Sequence, residues 1–279
     1  MFKKNLLHIS LLFAGLVLYS CSNNKNNNTK ENNCEAKLQY EILAEEGVIP
    51  SNAILFLDCF GIPQLLIDSL VYRIEYAEGD TVQPPMSFYQ TDIAKDICCF
   101  PNGEIWFTEE GCLYQIKDDE KEILLGLSSE NIRINYANEK GAYLTVYNEE
   151  TEEYDLLFVN REEKQIDKLL KSPNLIVAIG TDSITIVAID SAIYLLKGEE
   201  IIPVLKVQEP IKSLAFAPDG IFYATDNKVV YYNLEENLIF LERKTRNILS
   251  SGNILYVLLE TGALYKITNT DHINKLITQ

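Results

Sequence analysis

Lys212-Ser213-Leu214-Ala215-Phe216-Ala217, then Pro218-Asp219-Gly220, then Ile221-Phe222-Tyr223-Ala224-Thr225-Asp226 is the stretch on which the reading of this chain turns. After Asn227-Lys228 it continues as Val229-Val230-Tyr231-Tyr232-Asn233-Leu234, Glu235-Glu236-Asn237 and Leu238-Ile239-Phe240-Leu241. Each run is short, rich in β-branched and aromatic residues, and bounded by turn residues, the pattern of strands joined by tight turns. The unit is four strands in a row.

Working outward, the same plan recurs. Asp96-Ile97-Cys98-Cys99-Phe100 leads through Pro101-Asn102-Gly103 to Glu104-Ile105-Trp106-Phe107-Thr108, then to Cys112-Leu113-Tyr114-Gln115-Ile116 and Glu122-Ile123-Leu124-Leu125. The copies fall at about 52–91, 95–127, 131–171, 174–207, 211–243 and 247–278. Their first turns carry Gly61, Gly103, Gly141, Gly180, Gly220 and Gly252, at intervals of 42, 38, 39, 40 and 32. A second marker, an aliphatic residue followed by Tyr, sits in the third strand: Val71-Tyr72, Leu113-Tyr114, Ile193-Tyr194, Val230-Tyr231 and Leu264-Tyr265, with Leu157-Phe158 in the remaining copy. A four-stranded unit repeating about every 40 residues predicts an all-β, six-bladed β-propeller of four-stranded antiparallel blades. One such sheet cannot bury both faces alone; radial packing against two neighbours does so, and closing the ring removes exposed ends.

The stretch from Leu214 to Asp226 resembles a blade of the NHL-repeat and SMP-30/gluconolactonase-like six-bladed propellers. The 95–127 copy shares the motif in part and the others share the plan. The enzymes of the second group hold a divalent metal near the ring axis through a Glu, Asn side chains and an Asp. The resemblance places Asp226 at the Asp position, but Lys212-Ser213 stands where Asn-Gly would precede the first strand. The alternative role for Asp226 is to begin the turn Asp226-Asn227-Lys228, since Asp and Asn favour turns. Two alternatives to the fold also stand at this point. One is a β-sandwich. The other is a ring of five blades, because 34–91 is irregular. The stretch Ala36 to Ala44 is expected to add an outer strand or to pack beneath the ring.

The amino-terminal residues read differently. Met1-Phe2-Lys3-Lys4 is a positive n-region, and Leu6 through Leu18 is an apolar stretch broken by His8 and Ser10. It matches a secretory h-region and falls short of the ~20 apolar residues of a spanning helix. It ends in Leu18-Tyr19-Ser20-Cys21, which resembles the lipobox of bacterial lipoproteins, with Tyr19 larger than usual. The resemblance implies a signal peptide over 1–20 and a lipidated Cys21 as the mature amino terminus. The alternative is an ordinary cleaved signal peptide. Ser22 through Asn33 contains no apolar residue and reads as a disordered tether, so 21–34 links the lipid to a propeller domain over 35–279. Surface-exported lipoproteins of Bacteroidetes often carry acidic residues just after this Cys. Asn23 and Asn24 stand there instead, which favours an outer-membrane lipoprotein on the periplasmic face over one on the cell surface.

The formal charge of −17 becomes −19 once Lys3 and Lys4 are lost with the signal peptide. So acidic a surface repels phosphate backbones and excludes nucleic acid as a partner. Beyond Cys21 the cysteines are Cys34, Cys59, Cys98, Cys99 and Cys112. An odd number leaves at least one thiol free or paired between molecules. Their spacing fits no zinc pattern. Cys98 and Cys99 read as strand residues facing opposite sides. One disulfide, with Cys59 as a candidate, is left open, as is its partner.

Catalytic patterns are sparse. The only histidine after Cys21 is His272, which a Ser-His-Asp triad would require. There is no Gly-rich phosphate loop and no H-E-x-x-H motif. Acidic runs recur between the third and fourth strands: Asp118-Asp119-Glu120, Glu162-Glu163, Glu199-Glu200 and Glu235-Glu236. In a propeller these turns share one face at its periphery. They read either as solvated hairpins or as an acidic rim for a basic partner or weak Ca²⁺ binding, although none matches an EF-hand loop. The expectation is a non-enzymatic, lipid-anchored module of the cell envelope that binds a protein, peptide or glycan and needs no cofactor. The rival is an SMP-30-like hydrolase or lactonase with one divalent metal.

Overall fold

The structure, a computed structural model, describes residues 38–68, 70–74, 94–117, 120–127, 129–181, 183–198, 200–233 and 237–270. The expected signal peptide and tether, with Cys21, Cys34 and His272, lie outside them. The regular elements among the described residues are all strands. β1 (Gln39–Ala44) comes first. Blade I has β2 (Ile54–Leu57), β3 (Pro63–Ile67) and β4 (Leu70–Arg73). Blade II has β5 (Asp96–Cys99), β6 (Ile105–Glu109), β7 (Cys112–Lys117) and β8 (Glu120–Gly126). Blade III has β9 (Ile132–Ala137), β10 (Gly141–Asn148), β11 (Glu153–Asn160) and β12 (Ile166–Ser172). Blade IV has β13 (Ile176–Gly180), β14 (Thr185–Ile189), β15 (Ala192–Lys197) and β16 (Glu200–Lys206). Blade V has β17 (Ser213–Ala217), β18 (Gly220–Ala224), β19 (Val229–Tyr232) and β20 (Asn237–Leu241). Blade VI has β21 (Thr245–Ser251), β22 (Ile254–Leu259) and β23 (Leu264–Thr268).

Each blade is an antiparallel meander. The innermost strands β2, β5, β9, β13, β17 and β21 lie side by side in that order, and β21 returns to β2, so the ring is closed with six blades. The sandwich and the five-bladed ring are thereby excluded. The third-strand marker falls on β4, β7, β15, β19 and β23 as expected. Blades II to V are four-stranded within one repeat. Blade I shows three strands among the described residues, and the rest of its repeat lies outside them.

Blade VI departs from the simple repeat. Its own segment contributes three described strands, and its outermost strand is β1, paired antiparallel with β23 from Gln39↔Thr268 to Ala44↔Leu264. The first element of the domain therefore closes the last blade. Leu43 and Ala44 are buried against Tyr256, Leu258 and Leu264 in the cluster between blades VI and I.

The core is divided among the blade interfaces. Trp106, Leu113, Leu144 and Val159 fill the gap between blades II and III. Ile179, Ile186, Leu214 and Tyr223 do so between IV and V, and Phe222, Tyr231, Ile248 and Val257 between V and VI. Each buried Leu, Ile or Phe contributes roughly 1.5–3 kcal/mol by leaving water. Among the described residues the smallest buried cluster lies between blades I and II, where Phe56, Leu66, Ile97 and Phe107 meet.

Four first-turn glycines, Gly61, Gly141, Gly180 and Gly220, sit where a Cβ would collide with a neighbour. A Cβ on Gly220 would lie 2.3 Å from the Tyr232 carbonyl oxygen, and one on Gly180 would lie 2.2 Å from the Tyr143 hydroxyl.

The outer strands share an irregularity. Wherever a third strand pairs with a described outermost strand, the register slips by one residue: beside Leu113/Tyr114 in blade II, Leu156/Leu157 in III, Ile193/Tyr194 in IV, Val229/Val230 in V and opposite Leu264/Tyr265 in VI. In three of these blades the slip falls on the aliphatic–Tyr pair itself. Such bulges sharpen strand twist and break the regular ladder at a sheet edge.

Candidate functional site

The six innermost strands surround an axial channel of about 450 Å³. Each of them runs from the linker between blades toward the first turn of its own blade, so residues early in each strand share one mouth. At that linker-side mouth stand Lys95, Asp96, Arg133, Ser213, Arg246 and Asn247. Leu57, Cys99, Tyr136 and Ala137 line the opposite end. Among the described residues the lining holds three basic side chains and one carboxylate, in a chain of net charge −17.

The polar groups tie neighbouring blades together. Asp96 Oδ1 accepts the Ile97 N–H at 2.9 Å, and its Oδ2 accepts the Ile134 N–H of blade III at 2.7 Å. Arg133 reaches past blade IV, and its Nη2 donates to the Lys212 carbonyl at 3.2 Å. Ser213 Oγ donates to Asn247 Oδ1 at 2.7 Å. Asn135 donates from Nδ2 to Thr145 Oγ1 at 2.7 Å, while its buried Oδ1 has no hydrogen-bond partner among the described residues. Lys95 pairs with Glu130 at 3.1 Å, and Arg246 Nη1 donates to the Pro50 carbonyl at 2.9 Å.

Burial of Asp96 raises its carboxyl to about 6, against the lowering effect of the Ile134 and Ile97 N–H groups and of Arg133. Burial lowers the Arg133 guanidinium, and Asp96 opposes that shift. The pH consequence follows by linkage. The folded carboxyl binds its proton more tightly than the unfolded one, so its contribution to stability is complete below the unfolded value of 3.8 and is lost as pH rises through about 6. Asp96→Asn removes this titration. The melting temperature of the parent protein minus that of the variant is expected to fall between pH 4 and pH 7. A difference that stays constant across that range would contradict the shift.

Asp226 lies elsewhere. Its side chain is half exposed, pairs with Lys212, and sits in the bend after β18, away from the channel lining. The bend is closed by Thr225 N–H donating to the Lys228 carbonyl at 2.9 Å. This is the geometry of the turn role. Among the described residues no three His, Cys, Asp or Glu side chains are grouped to hold a metal ion. Of the acidic runs, Glu120, Glu162, Glu163 and Glu200 are described. All are exposed at turns between third and fourth strands, on the face of the first turns. Asp118, Asp119, Glu199, Glu235 and Glu236 lie outside the described residues. In the turn that carries Glu162 and Glu163, Lys164 and Arg161 reach Glu104 in the first turn of blade II, at 3.3 and 3.9 Å.

The channel residues escaped the sequence reading. A signal exists in Ile132-Arg133-Ile134-Asn135, where polar residues alternate with buried Ile132 and Ile134 in an innermost strand.

No protein-family model matches the chain, and no curated protein matches it. Solved structures do. A streptogramin B lyase aligns with TM-score 0.56 at 12% identity, over 83% of this chain and 97% of that one. Virginiamycin B lyase from Staphylococcus aureus aligns with TM-score 0.55 at 18% identity, over 78% and 80%. The extracellular domain of the one-component system BT4673 from B. thetaiotaomicron aligns with TM-score 0.50 at 14% identity over 78% of this chain, which spans 32% of that longer protein. At these identities the likeness is one of fold.

Proposed function

We propose that this protein is a lipid-anchored binding module of the cell envelope, which holds an acidic peptide or acidic glycan end at the linker-side mouth of its axial channel. The observation that carries the reading is the lining of that mouth: among the described lining residues Lys95, Arg133 and Arg246 outnumber the carboxylate Asp96, with Glu130 paired to Lys95 beside them, while the molecule as a whole is strongly acidic. A local excess of positive charge between low-dielectric walls attracts anions and repels the rest of an acidic surface. Propellers host many chemistries. The similar structures, two of them lyases and one an extracellular domain of a signalling system, support a ligand-facing use of the ring without choosing among them. The anchor rests on Leu18-Tyr19-Ser20-Cys21 and the apolar stretch before it.

Two measurements test the reading. Thermal shift of the purified full chain against short acidic, neutral and basic peptides and oligosaccharides is expected to show stabilisation by acidic members. Saturation to about 100 times Kd contributes ~2.7 kcal/mol, a rise on the order of 5–10 °C for a domain of this size. Arg133→Met is expected to remove that rise. Equal shifts in parent and variant would reject the channel mouth as the site. For the anchor, Cys21→Ala is expected to move the protein from the membrane to the soluble fraction, and retention in the membrane would reject lipidation.

A further inference from the structure

Four cysteines are described, Cys59, Cys98, Cys99 and Cys112, and all are thiols in the structure. Two of them meet. Cys59 follows β2 in the first turn of blade I, and Cys99 ends β5 of blade II; these two innermost strands are neighbours in the ring. The Cys99 thiol donates to the Phe100 carbonyl at 3.6 Å, and Cys59 is the titratable neighbour that acts on it most strongly. The turn that presents Cys59 is well ordered by Asp58, whose Oδ1 accepts the N–H groups of Phe60 and Ile62 at 2.9 Å each. Cys98, by contrast, faces the other way and is buried with Trp106 in the blade II–III core.

We infer that Cys59 and Cys99 form a redox-dependent disulfide that staples blade I to blade II. The location has a physical sense. Among the described residues this interface has the smallest buried cluster of the ring, four side chains, so a covalent link would add to a small described core. Both residues are half-buried, and Cys99 lines the first-turn end of the channel. The inference is independent of the ligand proposed above.

The oxidant is another disulfide: a dithiol–disulfide oxidoreductase in an oxidising compartment, or oxidised glutathione in solution. The Cys59 thiol gives up its proton and attacks one sulfur of that disulfide. A mixed disulfide forms, and the released thiolate takes up the proton. The Cys99 thiol then loses its proton and attacks the Cys59 sulfur. The Cys59–Cys99 bond forms, and the second thiolate leaves and is protonated. Two thiols are oxidised and one disulfide is reduced. Burial, with Cys59 and Asp58 adding to it, pushes the Cys99 thiol up to about 12, which makes Cys99 a poor first nucleophile.

The test is peptide mapping by mass spectrometry of the purified full chain after exposure to oxidised glutathione and alkylation of the remaining thiols. The expected product is lighter by two hydrogens, with the Cys59 and Cys99 peptides linked. Closing the chain between these positions is expected to raise the melting temperature on the order of 10 °C over the reduced form. That redox dependence should vanish in Cys59→Ser and in Cys99→Ala and persist in Cys112→Ser. Separate alkylation of Cys59 and Cys99, a glutathione adduct that persists on either, or linkage of either to another cysteine would overturn the inference. Mapping on the parent protein decides the matter even if a variant fails to fold.

Discussion

A chain that begins at Glu45 is expected to lose its cooperative unfolding transition at room temperature, and a peptide spanning residues 38–46 added in trans is expected to restore part of it. The reason is the closure of blade VI. β1 supplies the only described partner of β23 on that edge, with pairing from Gln39↔Thr268 to Ala44↔Leu264. It also supplies Leu43 and Ala44, 2% and 1% exposed, to the cluster shared with blade I. Losing these contacts opens the apolar faces of Leu258 and Leu264 to water. A buried Leu and Ala with several ladder hydrogen bonds amount to about 5 kcal/mol or more. That is comparable to the whole stability of a typical domain. Circular dichroism during urea titration checks the result. An unchanged midpoint in the shortened chain would show that the ring holds without its latch.

Trp106→Ala is expected to lower stability by about 3–5 kcal/mol, the range for removing a fully buried aromatic side chain, and the melting temperature on the order of 10 °C. Trp106 is 0% exposed and meets Phe100 edge-on at 4.7 Å between ring centres. Its indole N–H donates to Glu104 Oε1 at 2.7 Å, and the Lys164 ammonium lies 4.7 Å from its ring centre. Burial works to raise the Glu104 carboxyl, but the Trp106 N–H and Lys164 outweigh it and hold the group below its usual value. The alanine variant therefore loses packing and also takes the indole donor from Glu104, which keeps Lys164 at 3.3 Å. Trp106→Phe keeps most of the packing and loses only the N–H, so it is expected to cost about 1–3 kcal/mol. Calorimetry of the three proteins separates the two contributions, and equal losses in both variants would assign the whole effect to the hydrogen bond.

Much of the ring was legible because each blade repeats the same two local solutions. Pro-Asp-Gly at 218–220 and Pro-Asn-Gly at 101–103 punctuate the first turn, and the second position of Leu113-Tyr114 or Ile193-Tyr194 recurs at one place in the third strand. Local turn chemistry and alternation are sequence properties, so they survive without any knowledge of neighbours. The closure by β1 was visible only as one of two options, because an edge strand carries no mark of the partner it will find 225 residues away. The channel mouth was missed for a related reason. Asp96 and Arg133 look like ordinary strand-end charges until ring geometry brings blades II, III and V to one axis. The Cys59–Cys99 contact likewise joins residues from different repeats, and pairing between repeats is invisible to a pattern read within one.

The latch also sets a clock. β1 is made first, and β23, the strand it pairs with, is made about as late as the ring allows. At 5–20 residues per second, the 225 residues that separate Glu41 from Lys266 take on the order of 10–45 s to synthesise. Blades II to V can assemble during that interval from contacts within and between consecutive repeats. Blade VI cannot be completed until it ends. For those seconds Leu43 and Ala44 have no place in the native core, and the molecule is an open arc with two unfinished ends. Its most vulnerable period is therefore a matter of elapsed time during synthesis.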